Sequence, residues 1–172
     1  MTDSHAHASS PMLRALARIA YDAGAIVLQH YTDEITATRK PDSSPVTAAD
    51  VEAERFILKR LAQLAPEVPV VAEEEVAAGR IPKVGKHFFL VDPLDGTKEF
   101  ISKNGEFTIN IAEIVDGKPV RGVVYAPAKD RIFFGESLSG AYEMHCPPGN
   151  PWCRWGRFGR QPAAGFEPLS FP

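Results

Sequence analysis

The hydrophobic period of this chain changes once, near Leu64, and that change restricts the fold more than any other feature. Upstream, Leu13, Leu16, Ala17, Ala20, Ala23, Val27 and Tyr31 recur at steps of three and four, which predicts an amphipathic helix from Pro11 to about Tyr31 behind the capping candidates Ser9 and Ser10. Thr47-Ala48-Ala49-Asp50 has the form of a capping box and opens a second helix to about Leu64, with Phe56, Ile57, Leu61 and Leu64 as its buried stripe. The turn-forming stretch Arg39 to Pro45 between them reads as a loop. Downstream, Val68–Ala72, His87–Asp92, Phe107–Val115, Val120–Tyr125 and Arg131–Phe134 are short β-branched or aromatic runs of the kind that form strands. Asp116-Gly117 joins two of them as a hairpin signal, so those two should pair antiparallel. Helices followed by a run of strands make an α+β fold: two N-terminal helices packed on a largely antiparallel sheet.

After Glu143 the pattern stops. Residues Met144 to Pro172 hold 6 Pro and 4 Gly, contain no Val, Ile, Lys, Thr or Asp, and include both tryptophans and both cysteines of the chain. The reading is a domain over residues 1–143 and an irregular tail over 144–172, with a shifted reading frame as the favoured origin of that tail and a natural flexible tail as the other. Cys146 and Cys153 are too few for a disulfide framework and poorly spaced for zinc, which leaves incidental or structural thiols.

The formal charge of −3 argues against a nucleic-acid polymer as partner, because phosphate backbones select basic surfaces. Small anions remain open where a metal ion supplies the positive charge. No apolar run approaches the roughly 20 residues of a transmembrane helix, and Met1–Ser10 lacks the basic start and apolar core of a secretory signal. The expected location is the cytoplasm, with peripheral membrane association left open.

The chemistry concentrates in Val91-Asp92-Pro93-Leu94-Asp95-Gly96-Thr97-Lys98-Glu99-Phe100. Two carboxylates three residues apart where an apolar strand ends repel each other unless a cation lies between them. Mg²⁺, which takes a few carboxylates, carbonyls and water and shares its remaining positions with phosphate, suits such a turn. Gly96 permits close backbone approach, and the amides of Gly96 and Thr97 would face an anion if a helix begins there. A solvated Asp-rich turn capping a helix accounts for the same residues equally well. Glu73-Glu74-Glu75 follows the apolar Val70-Val71; if that strand neighbours Phe88–Val91, Glu73 and Asp92 emerge side by side and close a pocket with Asp95, and otherwise the triplet is an exposed acidic surface. Asp50 is accounted for as a carboxylate favourable to a helix N-terminus.

Taken in order, Ser44-Pro45-Val46-Thr47-Ala48-Ala49-Asp50, Ala72-Glu73-Glu74 and Asp92-Pro93-Leu94-Asp95-Gly96-Thr97 resemble the motifs of the inositol monophosphatase superfamily of Mg²⁺-dependent phosphatases. Lys98-Glu99-Phe100, Asn104 to Asn110 and Gly122 to Pro127 are most similar to its CysQ-type branch, the 3′(2′),5′-bisphosphate nucleotidases. The resemblance covers Pro11 to about Glu143. It implies the first domain of an α/β/α/β/α sandwich whose second α/β domain is missing here. It also implies one Mg²⁺ on Glu73, Asp92 and the Leu94 carbonyl, and a second approached by Asp92 and Asp95. Substrate phosphate would lie against Glu73, Leu94, Asp95, Gly96 and Thr97. Glu73 and Thr97 would orient the attacking water, and Asp50 would act behind them. The implied reaction is hydrolysis of the 3′-phosphate of adenosine 3′,5′-bisphosphate, with activity reduced by the absent half. The alternatives are an inositol monophosphatase, or an inactive fragment that binds metal or an intact homologue. An uncovered apolar face would favour homo-oligomers or aggregation.

Overall fold

In the computed structural model, which describes residues 10–32, 37–39, 45–137, 139–149 and 167–168, the change of period marks the boundary between a helical layer and a sheet. Helix α1 (Pro11–Thr32) starts where the Ser10 hydroxyl accepts the Leu13 N–H at 3.1 Å, and Leu13, Leu16, Ala17, Ala20, Ala23 and Val27 are fully buried along it. Ser9 lies outside the described residues. Strands β1 (Ala37–Arg39) and β2 (Pro45–Thr47) pair antiparallel, so the segment read as a loop is flanked by a small ladder; β-branched Val46 and Thr47 suit a strand better than the turn residues before them suggest. Helix α2 (Ala48–Leu64) begins where Thr47 and Asp50 mark it, and buries Ala49, Ala53, Ile57 and Leu61, with Phe56 and Leu64 packed at the margin.

The main sheet contains β3 (Val70–Ala72), β4 (His87–Asp95), β5 (Thr108–Val115), β6 (Lys118–Ala126), β7 (Arg131–Glu136), β8 (Gly140–His145) and β9 (Glu167–Pro168), side by side in that order. All neighbours are antiparallel except β3 and β4, which run parallel. The β5–β6 turn places Asp116 at φ 50° and Gly117 at φ 74°, the two positive values a tight hairpin turn needs. Two short helices, α3 (Glu73–Ala77) and α4 (Thr97–Ile101), follow β3 and β4 directly.

Alternation along the strands gives the sheet two unlike faces. Phe89, Val91, Ile109, Ile111, Val123, Tyr125, Ile132 and Phe134 join the helices in one core. The opposite face leaves Leu90 at 47% and Val124 at 40% exposure and carries an open cavity of about 710 Å³ that reaches Glu73, Asp92 and Asn110.

Strand β8, absent from the sequence reading, runs past Glu143 to His145, and the residues after it are tied to the core. Cys146 donates its N–H to Asp130 O at 2.6 Å, while the Tyr125 and Tyr21 hydroxyls donate to the carbonyls of Cys146 (3.1 Å) and Pro147 (3.0 Å). Cys146 is disulfide-bonded rather than the expected thiol. Of the tail beyond Gly149, only β9 falls within the described residues. No helix among the described residues is long and apolar enough to cross a membrane.

Candidate functional site

The parallel β3–β4 register builds the site. Ala72 lies opposite Val91, so the next positions, Glu73 just past the end of β3 and Asp92 still within β4, stand side by side. Glu73 opens α3 and is exposed, whereas Asp92 is half-buried on β4. Their carboxyls share a hydrogen bond. Burial, the charge of Glu73 with that bond, and then the charge of Asp95 push the Asp92 carboxyl up to about 7.

Beyond Asp92 the β4–β5 ladder breaks and resumes at Asp95–Thr108, because Pro93 lacks an N–H to continue it. Within the break the Leu94 N–H donates to Asp92 Oδ1 at 3.2 Å, which folds the backbone around that carboxylate. Gly96 then takes φ 93°, and a Cβ there would stand 2.7 Å from the Glu106 carbonyl oxygen. Only glycine meets both demands without strain. Beneath this turn Tyr31, Phe100 and Phe107 pack with ring centroids 4.9 to 5.3 Å apart and support the start of α4.

Thr97 connects the turn to α2. Its hydroxyl lies 3.1 Å from Asp50 Oδ1 and 3.2 Å from the Leu94 carbonyl oxygen, both acceptors. Asp50 Oδ2 accepts the Thr47 N–H at 2.7 Å and the Thr47 hydroxyl at 2.6 Å. At 1% exposure, Asp50 has its carboxyl raised by burial against the lowering effect of these bonds. The sequence reading of Asp50 as a helix-start carboxylate therefore describes one of its oxygens, while the other reaches Thr97.

Asp95 is placed differently from its neighbours. It is exposed, and Asn110 Nδ2 donates to its Oδ2 at 3.2 Å. Among the described residues no three His, Cys, Asp or Glu side chains stand together as a metal cluster. The expected pocket of Glu73, Asp92 and Asp95 is thus a close Glu73–Asp92 pair with the third carboxylate held aside. The donors are all oxygen, and a cation beside the pair would oppose the repulsion that raises Asp92, so the residues fit a hard divalent ion in kind.

Two residues next to the site carried no role in the sequence reading. Asn110 faces Asp92 across the β4–β5 ladder and holds Asp95; its only signal was its place in the Asn104–Asn110 motif. Glu54, 3% exposed on α2, accepts the N–H groups of Glu74 and Glu75 at 2.7 and 3.0 Å. A glutamate four residues after Asp50 shares its helix face, but nothing local shows what that face meets.

The model of the inositol monophosphatase family matches residues 8–148. The chain is 47% identical over 137 residues to the 3′(2′),5′-bisphosphate nucleotidase CysQ of Salmonella typhimurium, covering 78% of this chain and 55% of the relative. It is 43% identical to the Escherichia coli CysQ over the same shares. Among solved structures, CysQ from Bacteroides thetaiotaomicron superposes with TM-score 0.63 at 38% identity, over 79% of this chain and 49% of that one. The extragenic suppressor protein SuhB of Bartonella henselae superposes with TM-score 0.70 at 29% identity, over 80% and 54%. The chain spans about half the length of the curated relatives it matches. With a matching family model over most of its length, and with the acidic strand ends and Gly-Thr turn in one place, the chain belongs to the inositol monophosphatase family.

Proposed function

We propose that this chain carries the metal and phosphate half of an Mg²⁺-dependent phosphomonoesterase acting on a small nucleotide bisphosphate, adenosine 3′,5′-bisphosphate, as the CysQ names of its relatives suggest. The observation that carries the reading is the Glu73–Asp92 carboxyl pair at the shared end of parallel strands, with Asp92 raised to about 7 by burial and by its neighbours. Glu73, Asp92 and the Leu94 carbonyl would hold Mg²⁺, and Asp92 with Asp95 would reach toward a second ion. When bound, Mg²⁺ supplies the positive charge that favours both an attacking water and a developing phosphate negative charge.

The chain's own groups divide the remaining work. Thr97 Oγ1 directs its proton to an acceptor, Asp50 Oδ1 or the Leu94 carbonyl, which leaves its lone pairs free to accept from a water. Asp50, whose carboxyl burial raises, is suited to receive a proton passed through that hydroxyl. Glu73 orients the same water from the β3 side, and the backbone at Gly96 and Thr97 receives the phosphate. Asn110 fixes one oxygen of the Asp95 carboxylate by donating to its Oδ2. No nucleophilic Ser or Cys is required.

Phosphate release from the purified chain with Mg²⁺, comparing adenosine 3′,5′-bisphosphate with inositol 1-phosphate, tests the reading. Preference for the nucleotide is expected, and preference for the inositol ester would move the chain to the inositol monophosphatase branch. Release from neither substrate would leave the metal-binding fragment as the better description.

A further inference from the structure

Among the described residues, Glu54 is the one buried carboxylate near the site that the proposed chemistry does not use. It projects from α2 at 3% exposure and accepts two consecutive backbone N–H groups, those of Glu74 at 2.7 Å on Oε2 and Glu75 at 3.0 Å on Oε1. Those amides belong to the first turn of α3, whose first residue is Glu73. Helix α3 is 5 residues long with no buried residue, and so short a helix has little stability of its own. Ala72 heads it without a side-chain cap. The acceptor its first turn lacks locally therefore comes from another element, 20 residues back in the chain.

The arrangement is also costly, which argues for a purpose. A carboxylate is buried beside two other acids, and burial first, then the charges of Glu74 and Glu75 against the favourable backbone bonds, push Glu54 up to about 7. Asp50, one helical turn earlier, holds Thr97. Residues 50 and 54 of α2 thus grip the turn after β4 and the turn after β3 respectively.

We propose that Glu54 is a positioning residue for cation binding: by clamping the Glu74 and Glu75 amides to α2, it fixes the α3 start so that Glu73 is presented beside Asp92. The inference rests on the metal reading of the Glu73–Asp92 pair. Glu54 touches neither ion nor substrate; it acts through the backbone of α3. Loss of an outer hydrogen bond of this kind lowers metal affinity about 10- to 100-fold.

The test is Mg²⁺ titration by calorimetry on the full chain, with amide exchange at Glu74 and Glu75 followed by NMR in the metal-free protein. Glu54→Gln keeps the shape but sets an NH₂ group against one of the two N–H donors. Glu52→Gln, an exposed acid on the same helix paired with His30, controls for lost charge. Expected are roughly tenfold weaker Mg²⁺ binding in Glu54→Gln but not in Glu52→Gln, and faster exchange at both amides with a retained cooperative melt. If Glu54→Gln does not fold, Glu54→Asp is read in its place against the same expectations. Mg²⁺ uptake unchanged by the substitution, or weakened uptake with unchanged amide exchange, overturns the role of Glu54 alone. No uptake by the unmutated chain overturns the metal reading and this role with it.

Discussion

At the residue scale, a carboxyl pair held together by the backbone is a source of strain that substitution should expose. Asp92 is pushed up by burial and by Glu73 and Asp95, so Asp92→Asn removes the repulsion while keeping the side-chain shape. The expected outcome is a metal-free protein at least as stable to heat as the unmutated one, with phosphate release abolished; a lowered melting midpoint or unchanged release would contradict it. Gly96 supplies a second case. At φ 93° with a carbonyl oxygen 2.7 Å from a notional Cβ, Gly96→Ala should cost about 1 to 3 kcal/mol from the backbone conformation alone, and more from the displaced Glu106 carbonyl. Chemical denaturation measures it. The acidic residues and this glycine were legible in sequence because acids and glycine at the end of an apolar run are unusual. Asn110 was not, since an amide in a strand carries no local sign of the carboxylate it will face.

At the scale of elements, each of the two long helices depends on a contact that its apolar period does not specify. In α2, the Thr47 hydroxyl and N–H both reach Asp50. Thr47→Ala removes one of these bonds and should cost about 1 kcal/mol of stability, and it should also loosen the acceptor that holds Thr97. Lower phosphate release than the small stability loss explains is the signature to seek. In α1, Gly24 lies against the Tyr125 ring, where a Cβ would come within 2.3 Å of the ring carbon. Gly24→Ala should therefore destabilise by about 1 to 3 kcal/mol by overpacking, although alanine is the better helix former. A more stable Gly24→Ala protein would show that the ring moves aside freely. Periodicity located both helices because one face of each is buried, but it could not find the β1–β2 ladder or β8. Those strands are short, and Ala, Gly and Glu in Gly140–His145 make a weak strand pattern.

For the molecule as a whole, polar groups lock the ends of distant elements. Glu136 on β7 receives the Ser10 N–H at 2.8 Å, the Ser139 hydroxyl at 2.8 Å and Arg121 Nε at 2.9 Å, and Arg121 also bridges to the buried Glu113 at 2.7 Å. Burial alone would raise the Glu136 carboxyl, yet these bonds, led by Ser10, bring it down to about 2. Because its folded value lies below the ordinary 4.5, the native state holds fewer protons than the unfolded chain between these two values. This contribution is present above about pH 4.5 and is lost as the pH falls toward 2. Melting midpoints across that window should fall with pH in the unmutated protein and fall less steeply in Glu136→Gln. Parallel curves would place the acid sensitivity elsewhere.

What the sequence determined by itself was local: two helical periods, a run of strands, an Asp-Gly hairpin and the order of the acidic motifs. Each follows from residue spacing and from backbone preferences within a few positions. Only the tertiary structure decided which ends meet. The parallel β3–β4 register sets Glu73 beside Asp92, Asn110 draws Asp95 aside, and α2 carries Asp50 to Thr97 and Glu54 to the α3 amides. Those contacts join residues 15 to 47 positions apart, beyond the reach of any local period, and they form because burying one shared apolar core leaves the helices and strand ends a single arrangement.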